Sequence, residues 1–168
     1  MNKATYQKMT QPFRVHPKLA QSLHMGNRIL TMTVFLSYPA LLIYLFWSGR
    51  DTLLPSVFVP AGGFLLVSAF RLLCNRKRPY ERFALAPVIP KDTKGKSFPS
   101  RHVFSAAIIA VTFLVQKEQL LAAAGVLLFA DALLLGALRV ISGVHYISDV
   151  AAALVCAGIG WASYGIWL

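Results

Sequence analysis

The sequence predicts an all-α integral membrane bundle of about five transmembrane helices, preceded by an N-terminal interfacial helix. Three observations carry this fold class. The 168 residues are 57% hydrophobic with a mean hydropathy of +0.59. Apolar runs close to the roughly 20 residues that span a bilayer recur along the chain. The cations lie between these runs and not within them. A soluble fold would have to bury helices that are apolar on every face, whereas lipid accepts them and admits only helices or closed barrels.

Residues 1–28 hold five Lys or Arg, no acid, and Pro12 and Pro17. They are too polar to span and read as an interfacial segment, with Arg14 to Arg28 as a short amphipathic helix along the surface. No small-x-small cleavage site follows the first apolar run, which favours an anchor over a cleaved leader. Residues 29–168 form the membrane-embedded domain. Its uncharged runs are Ile29 to Trp47 and Val150 to Leu168, 19 residues each, Leu53 to Phe70 with 18, and Val103 to Gln116 with 14. The last of these reaches spanning length only if its helix begins near Ser100 or His102. Gln119 to Leu138 adds 20 residues containing one acid, Asp131.

A lone carboxylate at that depth costs about 2.5 to 3.5 kcal/mol on insertion scales. Asp131 is therefore expected to be protonated, paired or turned to a polar interior, either supporting a site from below or making an interhelical hydrogen bond. Cys74 and Cys156 lack metal-type spacing and read as small hydrophobes. The net charge of +11 does not point to nucleic acid, because basic stretches interleaved with aromatics are missing. Anionic lipid is the partner it fits.

If five helices alternate through the bilayer, residues 1–28, 71–102 and 139–149 share one side, and residues 48–52 and 117–118 the other. Ten of the seventeen cations, Arg71 through Arg101 together with Arg139, then meet two histidines, a serine and an aspartate on one face. Arg71 and Arg78 are seven residues apart, about two helical turns, and reach one side if the helix continues to Arg78. In the stretch Gly-Lys-Ser-Phe-Pro-Ser-Arg-His, residues 95–102, Ser100 reads as the N-cap of a helix whose free amides and positive dipole end favour an anion. His145 and Asp149 are four apart. On a helix starting near Val144 they share a face, and the carboxylate can orient the imidazole as a base or nucleophile. Gly143 lets the chain bend between Arg139 and His145.

These residues make the chain resemble the type 2 phosphatidic acid phosphatase superfamily, the lipid phosphate phosphatases. That family's three motifs are Lys, six residues, Arg-Pro; Pro-Ser-Gly-His; and Ser-Arg, five residues, His, three residues, Asp. Here they read Arg71 to Arg78-Pro79, Pro99-Ser100-Arg101-His102, and Leu138-Arg139 to His145 to Asp149, over about residues 50–165. Arg71 stands for Lys, Arg101 for Gly and Leu138 for Ser. The Arg at 71 keeps the charge but offers a planar fork, and Arg101 either narrows the pocket or adds a cation for a second phosphate.

The resemblance implies a lipid phosphatase or diphosphatase that works through a phosphohistidine and needs no metal or other cofactor. By it, His145 attacks phosphorus, Asp149 holds its ring, and His102 protonates the leaving oxygen. Arg71, Arg78, Arg139, Ser100 and Arg101 bind the phosphoryl oxygens. Undecaprenyl diphosphate is the first substrate expected, with phosphatidylglycerol phosphate and phosphatidic acid next, in a multi-pass protein of the bacterial plasma membrane. Two other classes fit the residues less well. A metal hydrolase ligated by His102, His145 and Asp149 would set a divalent cation among three arginines. A non-catalytic lipid-phosphate binding or transport protein would need the cations but not the nucleophile and acid. The basic excess predicts a cytoplasmic site by the positive-inside rule, whereas the resemblance implies the outer face for carrier-lipid recycling. Residues 76–96 are also basic enough to draw anionic headgroups.

Overall fold

The computed structural model describes residues 2–167; Met1 and Leu168, the last residue of the fifth expected run, lie outside the described residues. Seven helices follow in order: α1 (Lys3–Val15), α2 (Pro17–Trp47), α3 (Leu53–Cys74), α4 (Pro79–Phe83), α5 (Arg101–Leu114), α6 (Gln119–Ile141) and α7 (Ile147–Tyr164). The segments built on α2, α3, α6 and α7 are long and apolar enough to cross a membrane, and α5 is a shorter apolar helix. The expected all-α membrane bundle is borne out.

α5 is the hub, packed chiefly against α6, α7 and α3. Ten of its fourteen residues are buried. At a rise of 1.5 Å per residue it extends only about 21 Å, but encased by its neighbours it need not match the bilayer itself. Ala106, Ala107 and Ala110 are almost fully buried, and such small side chains let membrane helices approach closely enough for dispersion to hold them. The outer helices turn Phe58, Leu65, Leu66, Val126 and Leu127 outward, which in lipid is the favourable side.

Two helix boundaries depart from the sequence reading. The segment Arg14 to Arg28 is not one helix. α1 ends at Val15, and α2 begins at Pro17, whose fixed φ and missing N–H suit a first helical position. Pro17 to Arg28 are thus the first turns of the first long helix. α3 likewise stops short of Arg78: Asn75 adopts a left-handed conformation at its C-terminus, φ 36° and ψ 38°, which ends the helix. The chain restarts with Pro79 at the beginning of α4.

At one end of the bundle Arg50 pairs with Glu118, and Thr52 donates to Gln116 at 2.9 Å. The two short connections are joined there, as alternation through the bilayer requires. The C-termini of α3 and α6 and the N-termini of α5 and α7 all meet at the opposite end.

Candidate active site

The third motif is built on a turn, not on a helix. α6 ends at Ile141, and Gly143 takes φ +73°, a conformation an L-residue rarely holds. The chain then doubles back so tightly that the amides of both Val144 and His145 donate to the Arg139 carbonyl at 3.1 Å. α7 starts only at Ile147, so His145 precedes it, yet the contact with Asp149 survives. His145 Nδ1 lies 3.3 Å from Asp149 Oδ2, with the two residues 2% and 0% exposed.

Asp149 is the most heavily used acid in the protein. Its Oδ2 also accepts from the Tyr146 amide at 2.9 Å, closing the first turn of α7, and from the Ser97 hydroxyl at 2.5 Å. Its Oδ1 pairs with Arg76 at 2.8 Å. With Nδ1–H donated to the carboxylate, the Nε2 lone pair of His145 points the other way. There it lies 3.4 Å from Arg78 Nη1. Burial pulls the pKa of His145 down to about 4, helped by Arg78 and Arg139 and opposed by the bond to Asp149. The ring is therefore neutral at pH 7, and its unprotonated Nε2 accepts from Arg78 in the ligand-free protein.

His145 borders a cavity of about 240 Å³ lined also by Ser68, Arg71, Leu72, Arg78, Lys91, Thr93, Lys96, Arg101, His102 and Arg139. Six cations and no carboxylate line it. Arg71, Arg78 and Arg139 are 5%, 3% and 5% exposed, and none forms an ion pair among the described residues. A buried cation without a counter-charge carries a desolvation cost that a bound anion would offset. Arg139 Nε has no hydrogen-bond partner at all. Arg71 and Arg78 serve partly as scaffold: Arg71 donates to the Pro99 carbonyl, and Arg78 to the carbonyls of Gly95 at 3.1 Å and Val144 at 3.3 Å.

Five of the predicted phosphate ligands and catalytic groups that line the cavity directly are Arg71, Arg78, Arg101, His102 and Arg139, with His145 as the sixth. Asp149 stands behind His145. Ser100 occupies the N-cap of α5, but its hydroxyl makes no capping bond and has no partner although it is fully buried. The Ser100 amide instead donates to the Asp149 carbonyl at 3.0 Å, stitching the second motif to the third. Asp131 is 8% exposed and does not border the cavity, and its Oδ2 has no partner. The structure thus brings it neither to the site nor to an interhelical hydrogen bond of that oxygen.

Sequence reasoning did not assign Arg76, Ser97, Lys91, Lys96 and Glu81. Arg76 lies in the variable spacer of the first motif. It bonds Asp149 and Ser148 Oγ, each at 2.8 Å, with its guanidinium carbon 4.2 Å from the Tyr146 ring centroid. Ser97 belongs to the Gly95–His102 stretch, three residues before Ser100, and only the fold shows that its hydroxyl meets Asp149. Lys91 and Lys96 ride on the long loop between α4 and α5. Its end is fixed by Glu81, which accepts the amides of Gly95 at 2.7 Å and Arg78 at 3.2 Å. Gly95, at φ +61°, leaves no room for a side chain: a Cβ would sit 2.3 Å from Asn75 Oδ1. Burial lowers the Lys91 pKa, with Arg139, Arg78, Arg101 and Arg71 adding to the effect, a measure of how crowded with positive charge the cavity is.

Two solved structures share this arrangement of helices. LpxE from Aquifex aeolicus superposes with a TM-score of 0.70 at 23% sequence identity, covering 96% of this chain and 93% of that one. The first transmembrane PAP2-type phosphatidylglycerolphosphate phosphatase from Bacillus subtilis superposes at 0.68 with 21% identity, covering 97% and 85%. At these identities the likeness speaks for the fold. The profile of the PAP2 superfamily matches residues 52–168, the span that carries all three motifs and the cavity they line, and the chain belongs to that superfamily.

Proposed function

We propose that this protein hydrolyses a lipid diphosphate through a phosphohistidine on His145, without a metal, and that undecaprenyl diphosphate is its substrate. Phosphatases of the PAP2 family are hydrolases acting on lipid phosphates, and the chain is a multi-pass membrane protein. The observation that carries the reading is the set of three buried arginines, none in an ion pair, lining one cavity with a neutral imidazole whose Nε2 meets Arg78.

In the first step the Nε2 lone pair forms a bond to the terminal phosphorus as the P–O bond to the leaving group breaks. His102, whose pKa burial and Arg139 lower in the ligand-free protein, takes up a proton as the anionic phosphate binds and gives it to the departing oxygen, while Arg71, Arg78 and Arg139 hold the three equatorial oxygens where charge must be stabilised. Asp149 keeps Nδ1 protonated and stabilises the positive ring that phosphorylation creates. In the second step His102 takes a proton from water, whose oxygen attacks phosphorus. The P–N bond breaks, inorganic phosphate leaves and the ring is neutral again.

The diphosphate is favoured over a simple monoester by charge. Lys91, Lys96 and Arg101 add three cations to the three arginines that suffice for one phosphoryl group. Arg101 also borders an adjoining apolar cavity of about 310 Å³ that contains Val34, Phe35, Phe64, Ala106, Ile109 and Leu135. It therefore stands where a second phosphate would join the hydrocarbon. Phosphatidylglycerol phosphate, with a phosphodiester in that position, is the runner-up, and phosphatidic acid lacks the second group. A metal-free mechanism agrees with the donor set, since no three His, Cys, Asp or Glu side chains cluster among the described residues. A bacterial plasma membrane is the location this substrate requires.

The test is phosphate release by the purified protein from undecaprenyl diphosphate, phosphatidylglycerol phosphate and phosphatidic acid in detergent micelles containing excess chelator. The diphosphate is expected to turn over fastest, and His145→Ala to be inactive. Activity in His145→Ala removes the phosphohistidine. Loss in chelator restores a metal hydrolase, and no release from any lipid leaves a binding protein.

A further inference from the structure

The N-terminal helix meets the back of the catalytic turn. Tyr6 is fully buried, with its ring 5.5 Å from that of Phe83. It lies so close to Gly143 that a Cβ added there would come within 2.3 Å of Tyr6 Cε2 and 2.4 Å of its hydroxyl. Gly143 is the residue whose positive φ sends the chain from Arg139 back to His145. A flat ring against its Cα leaves the turn nowhere to relax on that side. Tyr6, Thr10 and Arg14 are spaced four apart and share one face of α1. Thr10 Oγ1 donates to the Tyr6 carbonyl at 2.9 Å and accepts from Arg14 Nε at 3.1 Å, and Arg14 in turn donates to the Ala86 carbonyl. Ala86 opens the loop that carries Lys91, Lys96 and Ser97. That loop is pinned to the same turn by the Val88 amide, which donates to the Ser142 carbonyl at 3.1 Å. α1 thus touches both halves of the site from behind, without reaching the cavity.

We propose that Tyr6 is a positioning residue for the reaction: by filling the space behind Gly143 it fixes the Arg139–His145 turn, and so the placing of Nε2 against the bound phosphoryl group. The proposal rests on the reading of His145 as the nucleophile. The ring does this by contact and not through its hydroxyl, which lies near Arg14 but meets no partner at hydrogen-bond geometry. A displacement of the reacting atoms by about 1 Å costs up to about a hundredfold in rate, and loss of the ring gives the turn that freedom. Arg71, Arg78 and Arg101 lie on α3, the following loop and α5, away from this turn, and Arg139 is held in the last turn of α6, so binding is affected less.

The test compares Tyr6→Ala, Tyr6→Phe and His145→Ala in the full-length protein, with phosphate release normalised to folded protein by thermal melting in detergent. Tyr6→Ala is expected to lower kcat by about 10- to 100-fold with KM within about threefold, and Tyr6→Phe to restore kcat to within about twofold. If Tyr6→Ala does not fold, Tyr6→Leu, which keeps apolar volume but not the flat ring, takes its place with the same expected loss. An unchanged kcat in the Ala or Leu variant overturns the proposal, as does a loss in Tyr6→Phe equal to that in Tyr6→Ala. An active His145→Ala overturns the nucleophile assignment instead, which separates the two failures.

Discussion

Replacing Asp149 with Asn keeps the shape of the side chain and removes the charge on which four donors converge. The Tyr146 amide, the Ser97 hydroxyl, the His145 ring and the Arg76 guanidinium all point at this carboxylate, at 2.9, 2.5, 3.3 and 2.8 Å. An amide has one oxygen to offer them, and its NH₂ group must face at least one donor. The charge-assisted bond to the imidazole is worth about 1.5 to 3 kcal/mol. By itself this slows formation of the positively charged phosphohistidine by about 10- to 150-fold. If the NH₂ turns toward Nδ1, that nitrogen becomes the acceptor and Nε2 carries the proton, so the lone pair is on the wrong side. The same exchange in a Ser-His-Asp triad costs about 10⁴ in kcat. We therefore expect Asp149→Asn to lower kcat by about 10³- to 10⁴-fold. KM should change little, because the arginines that bind phosphate do not touch Asp149. Arg76 is about a third exposed and can turn to water, while Asn keeps an oxygen for the Tyr146 amide, so the variant should remain folded in a detergent melt. The assay is rapid-quench turnover with substrate in excess, in which a burst of dephosphorylated lipid ahead of inorganic phosphate reports the phosphoenzyme. A folded Asp149→Asn within tenfold of the parent protein would refute the tautomer-holding role.

Other expected outcomes test neighbouring parts of the site. Arg101→Gly, which restores the residue the family motif carries, should raise KM for the diphosphate lipid by about three- to tenfold, one exposed charge-assisted contact discounted for solvent. KM for phosphatidic acid should be unchanged, and an equal rise for both would show that Arg101 does not read a second phosphate. Titration of ¹⁵N-labelled histidines in the ligand-free protein, assigned with His145→Ala, should place the His145 midpoint near pH 4. The sign follows from burial favouring the neutral ring: the lone pair is present at neutral pH and is lost only as the pH falls through that value. A midpoint near the ordinary 6.5 would refute it. Asp131→Leu should raise the melting temperature and leave kcat unchanged, because a carboxyl with an unpartnered oxygen is removed from the membrane interior at a point away from the cavity. A lower melting temperature or lost turnover would show that Asp131 has a partner or a role.

What the sequence determined by itself is what depends on composition and on short spacing. Long apolar runs in lipid leave no alternative to helices, because every backbone polar group must be satisfied within its own segment. That decided the bundle and the ends of most runs. The four-residue step from His145 to Asp149 and the three motif signatures put the principal site residues in view, because each lies at a helix end where charge can leave the lipid. Tertiary structure decided the rest. Whether α3 continued to Arg78 turned on a left-handed Asn75, and whether Arg14 to Arg28 formed one helix turned on where α2 began. No spacing in the chain connects Ser97 or Arg76 to Asp149, about 50 and about 70 residues on, or Tyr6 to Gly143, and none shows that Lys91 and Lys96 face the same cavity as Arg139. Those contacts are made by packing between segments remote in the chain. The buried arginines can be proposed as a phosphate site only once the fold shows that none of the three forms an ion pair among the described residues.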